Sequence, residues 1–204
     1  METPPKKRRW WRWVAGVFYG LLLIDILSEF FPLGCQFLRY GYQAQRASAR
    51  NTDKAISTAI KAYHAEYGLW PLCKSPEIKT DRLFADAASN AALFRVLTAK
   101  DVTENPRKIV FFESKTAQKD GFFHPIYRDG FDPKTGALLD PWGHPYRIVV
   151  DGDYDEKIAN PYPDDAPEWI HLGILVWSLG KDGQQGAPGN PRTAKGSDDI
   201  LSWN

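Results

Sequence analysis

The hydrophobic rhythm of this chain is helical in its first half and strand-like in its second. From Gln43 to Tyr67 it runs QAQRASARNTDKAISTAIKAYHAEY, rich in alanine and free of Gly and Pro. Ile56, Ala59, Ile60, Tyr63 and Tyr67 recur at helical spacing and predict one apolar stripe on an otherwise polar helix. Gly68 and Pro71 end it. After a connecting segment, roughly Leu72 to Pro106, the cluster Ala91, Leu93, Phe94 and Leu97 predicts a short second helix, with Asn90 placed to cap it. The period then shortens. Ile109–Phe112 is a compact β-type run, and Tyr146–Val150 is a second, coming after the turn residues Asp140-Pro141-Trp142-Gly143. Trp169–Leu179 is a third, with Ile170, Leu172, Ile174, Val176 and Ser178 on alternate positions. Three such runs separated by Gly/Pro/Asp loops predict an antiparallel sheet packed on the end of the long helix, an α+β layer arrangement.

Upstream lies a different pattern. Lys6, Lys7, Arg8, Arg9 and Arg12 crowd the first dozen residues and lead into an apolar stretch from Trp10 to Leu38. Trp13–Ile24 is free of charge, and the wider run is about long enough to cross a bilayer as a helix. Basic residues just before such a run favour a cytoplasmic N-terminus and an exported C-terminal domain. Trp10, Trp11 and Trp13 suit the headgroup level. No small-x-small cleavage site comes after it, so a removed signal peptide fits less well. The expected organisation is a basic N-terminus and transmembrane signal-anchor helix over residues 1–38, a stalk helix over 39–71 and a globular β domain over 72–204.

Composition narrows the function. With 26 basic and 25 acidic residues among 204, the net charge is +1, which gives no polyelectrolyte character for nucleic acid. Cys35 and Cys73 do not make a disulfide framework and are expected as free thiols. His64, His124, His144 and His171 are scattered without zinc spacing. Asp151, Asp153 and Asp155 begin like an EF-hand loop. Glu156 and Tyr162 stand where that loop needs Gly and Glu, so the run reads as a solvated hairpin tip. No P-loop, G-x-S-x-G or G-x-G-x-x-G motif occurs, and no catalytic residue or small-molecule substrate is expected. Trp142, Trp177 and Trp203 read as core plugs.

The last third carries the most specific strings: DPWGHPYRI (Asp140–Ile148), VWSLGKDGQQG (Val176–Gly186) and GSDDILSW (Gly196–Trp203). Their order and spacing resemble the C-terminal half of the major pseudopilin of type II secretion systems. The A-I-x-x-Y-x-x-x-x-G-x-W-P pattern at Ala59–Pro71 is similar to the end of that family's long first helix. The resemblance implies a pilin-like fold: a long N-terminal membrane/stalk helix on a small antiparallel β-sheet, closed by a C-terminal calcium-type loop. It also implies calcium ligands: the side chains of Asp182, Asp198 and Asp199, and carbonyl oxygens of Leu179 and Lys181. Calcium takes about six to eight oxygens in a flexible cage, and a Gly-rich loop bracketed by carboxylates supplies that mix. Ser197 departs from the family, standing where an aspartate is common, and Arg192 and Lys195 add positive charge.

The resemblance further implies a structural subunit, stored as a single-pass protein of the inner membrane with its head in the periplasm. Copies of it would stack with other secretion-system subunits into a filament for protein secretion. Gly20-Leu21-Leu22-Leu23-Ile24-Asp25 mimics the family's processing point, with Asp25 in place of its glutamate, while Glu29 and Pro32 break the usual helix. Processing and an uncleaved anchor both stay open. The alternative is a membrane-tethered periplasmic binding module that keeps the domain without polymerising.

Overall fold

The computed structural model describes residues 40–73, 80–120 and 126–203. The chain divides into two compact units, residues 1–44 and 45–204. Helix α1 occupies residues 40–67. Along it, Ala49, Asp53, Ile56, Ala59, Ile60 and Tyr63 are all buried, in the three-and-four spacing that puts them on one face. Lys54 and Lys61 lie on the exposed remainder. A helix wet on most of its circumference is built to dock along one stripe. The helix ends where Gly68 turns left-handed, its amide bonding the His64 carbonyl at 2.7 Å.

Among the described residues, ten short strands come next, with one further helix between the first two. They are β1 (Arg82–Phe84), helix α2 (Ala87–Leu97), β2 (Gln118–Asp120), β3 (Ile126–Arg128), β4 (Gly130–Phe131) and β5 (Leu138–Leu139). Then come β6 (Arg147–Val150), β7 (Ile158–Ala159), β8 (Trp169–Ile170), β9 (Ile174–Ser178) and β10 (Ile200–Leu201). The main sheet is antiparallel in the order β1-β6-β9-β10, and β2-β3, β4-β5 and β7-β8 are separate two-stranded ribbons.

The pleat sorts the side chains of this sheet into two cores. In register, Ile148 faces Val176 and Val150 faces Ile174, and these four pack with Ile56, Ile60 and Tyr63 of α1 and Leu93, Phe94 and Leu97 of α2. The alternate residues Val149, Leu175 and Trp177 enter the second core with Ile158, Tyr162 and Ile170. A sheet covered on both faces explains why β9 is buried throughout and reads as a continuous apolar run rather than a strict alternation.

Several expectations are corrected. The pilin-like class, a membrane/stalk helix on a single small sheet, gives way to two helices among the described residues, the first from residue 40, and a mostly-β remainder in four small sheets. Among the described residues no helix is long and apolar enough to cross a membrane, because the apolar residues of α1 form only a stripe. The span expected over Trp10–Leu38 lies outside the described residues, as do Cys35 and the Gly20–Asp25 motif. The single-pass inner-membrane placement with a periplasmic head therefore finds no support in the fold.

Local expectations moved as well. Ile109–Phe112 forms no strand; the amides of Phe111 and Phe112 instead bond the Leu97 carbonyl at the end of α2, at 2.8 and 3.2 Å. The run Trp169–Leu179 breaks into β8 and β9, with Leu172 exposed between them. Gly173 lies at this break because any side chain there would strike the Trp70 ring, 2.7 Å from a Cβ. The cap of α2 is Asp86, whose Oδ1 accepts from the Ala88 and Ser89 amides. Asn90 is fully buried inside the helix instead. Its Nδ2 donates to the Tyr146 carbonyl at 2.7 Å and its Oδ1 accepts from the Leu138 amide at 2.8 Å. Replacing Asn90 with alanine leaves a buried amide and a buried carbonyl unpaired. The expected loss is about 2–4 kcal/mol, read as a lower urea midpoint with an unchanged slope.

Candidate functional site

The three strings singled out in the sequence meet at one corner of the β unit. In the turn before β6, Asp140 is fully buried. Its Oδ1 accepts from the amides of Trp142 (2.9 Å), Gly143 (2.8 Å) and His144 (2.9 Å). Its Oδ2 accepts from the Ser178 hydroxyl at 2.5 Å. Burial pushes this carboxyl up, and the Ser178 hydroxyl with the turn amides pulls back against it. Ser178 ends β9 and pairs with Ile200 of β10, as Trp177 pairs with Leu201. One carboxylate and one ladder thus join the first string to the second and the second to the third.

Between β9 and β10 the Gly/Asp loop is stitched by side-chain oxygens. Asp198 Oδ2 accepts from the Lys181 amide at 2.7 Å. Gly180 sits beneath it with φ near +65°, and a Cβ there would come within 2.5 Å of the Asp198 carbonyl oxygen. Only glycine meets both demands. Asp199 is buried, and its Oδ2 accepts from the Tyr162 hydroxyl and the Gly186 amide, both at 2.7 Å. Burial raises the Asp199 carboxyl and the Tyr162 phenol alike. The Gln185 side chain bridges Arg147 (2.8 Å) and the Pro161 carbonyl (2.9 Å). Arg192 pairs with Asp164 through Nε at 2.8 Å, which holds the Asp164 carboxyl below its usual range.

The residues expected to hold calcium fare unevenly. Asp182 turns away to its own loop, accepting from the Gln184 amide at 2.9 Å. Leu179 is buried in the second core and Lys181 is exposed. Asp198 Oδ1 and Asp199 Oδ1 are buried without a hydrogen-bond partner. They are the two buried carboxylate oxygens of the expected set left without a donor. Asp182, Asp198 and Asp199 do not gather as a group of carboxylates, whereas Asp81, Asp151 and Asp153 do, each offering an oxygen within 4.8 Å of the others.

That second group was missed in the sequence because Asp81 lies about seventy residues from its partners. It also revises the hairpin tip: Asp151 is buried, accepting from the amides of Asp155 (3.2 Å) and Glu156 (3.0 Å). Burial, then the charges of Asp153, Asp151 and Asp155, push the Asp81 carboxyl to about 6. Such a group says nothing about calcium in particular. Trp142 and Trp177 are buried, as core plugs should be, and Trp203 packs edge-on against Trp177 at 5.8 Å. Cys73 is a buried free thiol, pushed up to about 11 by that burial.

Beside the corner opens a cleft of about 630 Å³, lined among others by Arg46, Arg50, Tyr162, Asp165, Lys195 and Trp203. No protein-family model matches the chain, and no curated protein matches it either. The pseudopilin, secretion and calcium-binding attributes drawn from the resemblance are therefore without support from relatives or from the fold.

The stitching has a measurable consequence. Gly180→Ala forces a side chain into a left-handed position under Asp198 and should cost about 1–3 kcal/mol in strain alone. Tyr162→Phe removes a hydroxyl from a buried carboxylate at a similar cost of about 1–3 kcal/mol. Both should lower the urea midpoint and speed proteolytic nicking between residues 180 and 199. An unchanged midpoint in both would show that the loop is held by other means.

Proposed function

We propose that the chain is a structural subunit, built to associate with copies of itself in a filament of the type II secretion kind, and not a catalyst. The observation that carries this reading is the meeting of the three resemblance strings through Asp140, Ser178 and Ile200. In this corner polar groups are largely spent on holding backbone: Asp140 bonds three turn amides, Asp198 and Asp199 bond loop amides, and Asp165 bonds the Ala194 amide at 2.7 Å. Carboxylates committed in this way stiffen a surface and leave little for proton transfer. A rigid, irregular loop surface is what lateral contact between subunits requires.

A second reading, a binding module that does not polymerise, is favoured by the cleft beside the loop, lined by Arg46, Arg50 and Lys195 together with Asp164, Asp165, Tyr162 and Trp203. The two readings part on self-association. Crosslinking of the full chain in its native cells should give a ladder of multiples, and substitutions at exposed loop residues Lys181 and Asp182 should thin that ladder without changing the melting temperature. A single crosslinked species, or none at any expression level, would leave the binding module standing.

A further inference from the structure

The apolar stripe of α1 contains one residue that does not belong there. Asp53 lies between Ala49 and Ile56 and is 1% exposed. Neither of its carboxylate oxygens has a hydrogen-bond partner. The strongest charge acting on it is that of Asp140, itself fully buried. We propose that Asp53 is buried in its protonated form, so that docking of α1 onto the sheet is coupled to uptake of a single proton.

The division of labour comes from the donors. Asp140 already receives three amides and one hydroxyl, four donors for its lone pairs, each of which favours its charged form. Asp53 receives none. Two buried carboxylates that feel each other cannot both be charged in a low-dielectric seam, and an unpaired ion there costs several kcal/mol. The group with no donors is the one that takes the proton from solvent, and once protonated it becomes a donor itself.

Other groups set the field around it. On α1, the exposed Arg50 opposes protonation, but more weakly than burial and Asp140 favour it. From the strand side comes the buried Tyr146 phenol, itself raised by burial and by Asp53, with Thr52 beside its hydroxyl. His144 acts on Asp140 from the same turn. Asp129 adds negative charge from the segment between β3 and β4, and Ser48 reaches it at 3.5 Å. On Asp53 itself the named charges are Asp140, which favours protonation, and the weaker Arg50, which opposes it; Asp129 is paired with Lys115. The direction is uniform with burial: the Asp53 carboxyl is raised well above its ordinary value.

The sign of the pH effect is fixed by this direction. A carboxyl raised in the folded state contributes its full stability below the unfolded value, near 3.8, and loses it as pH climbs through the folded value. This differs from the usual salt-bridged aspartate, which fails in acid. The proposal stands apart from the filament reading, since it concerns one subunit and no self-contact.

The test compares thermal melting of the full chain with that of Asp53→Asn and Asp53→Leu from pH 4 to pH 9. The difference between wild type and either variant isolates Asp53 from the other groups that titrate over this range, Asp81 among them. The variants should gain on wild type by about 3–5 °C per pH unit between the unfolded value, near 3.8, and the raised folded value, and level off above it, melting above wild type at pH 8. A difference that does not change with pH, or variants that melt lower at every pH, would overturn the buried proton; the second result would point to a bound cation instead. Should neither variant fold, the assigned Asp53 carboxyl carbon resonance of the unmodified chain decides. Retention of the protonated shift past pH 6 supports the proposal, and titration near pH 4 overturns it.

Discussion

Asp140 is the constraint on which the rest of the β unit depends. Its backbone turn starts β6, its carboxylate closes that turn on three amides, and its remaining oxygen fixes Ser178 at the end of β9. β6 and β9 are the two central strands of the main sheet, so their register and the position of the turn are set by the same group. With β9 fixed, β10 has a template, and the chain can return from its long loop to pair Ile200 with Ser178. Burying a charge is costly, but a charge that receives four hydrogen bonds at the junction of three segments converts that cost into specificity of arrangement.

The sheet then divides its environment. One face receives both helices and the larger core, with Tyr63, Phe84, Phe94 and Tyr146 among its fully buried rings. The other face receives the β7-β8 ribbon and the closing segment, with Trp177, Tyr162 and Trp203. The loop that joins β9 to β10 has little regular structure and would not order through hydrophobic burial alone, given the conformational entropy of about 1–2 kcal/mol per residue. Its side-chain-to-amide bonds and the Tyr162–Asp199 contact supply what regular ladders supply elsewhere.

Much of this was legible where a residue acts on its neighbours. The stripe Ile56–Tyr63, the stop at Gly68, the DPWG turn and the apolar runs of β6 and β9 are local features, and their physics is contained within a few residues. What escaped was non-local. Asn90 looks like a cap because asparagine caps helices, and only the approach of Tyr146 and Leu138 explains its burial. Ile109–Phe112 has strand composition, but the amides of Phe111 and Phe112 are taken by the Leu97 carbonyl at the end of α2. The loop aspartates were visible as a set, but that each of the three accepts from a loop amide was not. Asp81 carried no local signal at all.

Asp53 shows where pattern reading stops and charge accounting begins. By periodicity it is simply an interruption in an apolar stripe, to be placed on the polar edge or disregarded. Its burial only acquires meaning once the buried charge of Asp140 is known to act on it, with that group's own oxygens already filled. A leucine or asparagine at this position would pack with less conflict, so the stripe as it stands is less stable at high pH than the fold allows. The stability forgone is the one quantity in this seam that solvent can return, by supplying a proton. A helix attached through Ile56, Ile60 and Tyr63 alone would be held equally at any pH; one attached through Asp53 as well is held in proportion to the acidity around it.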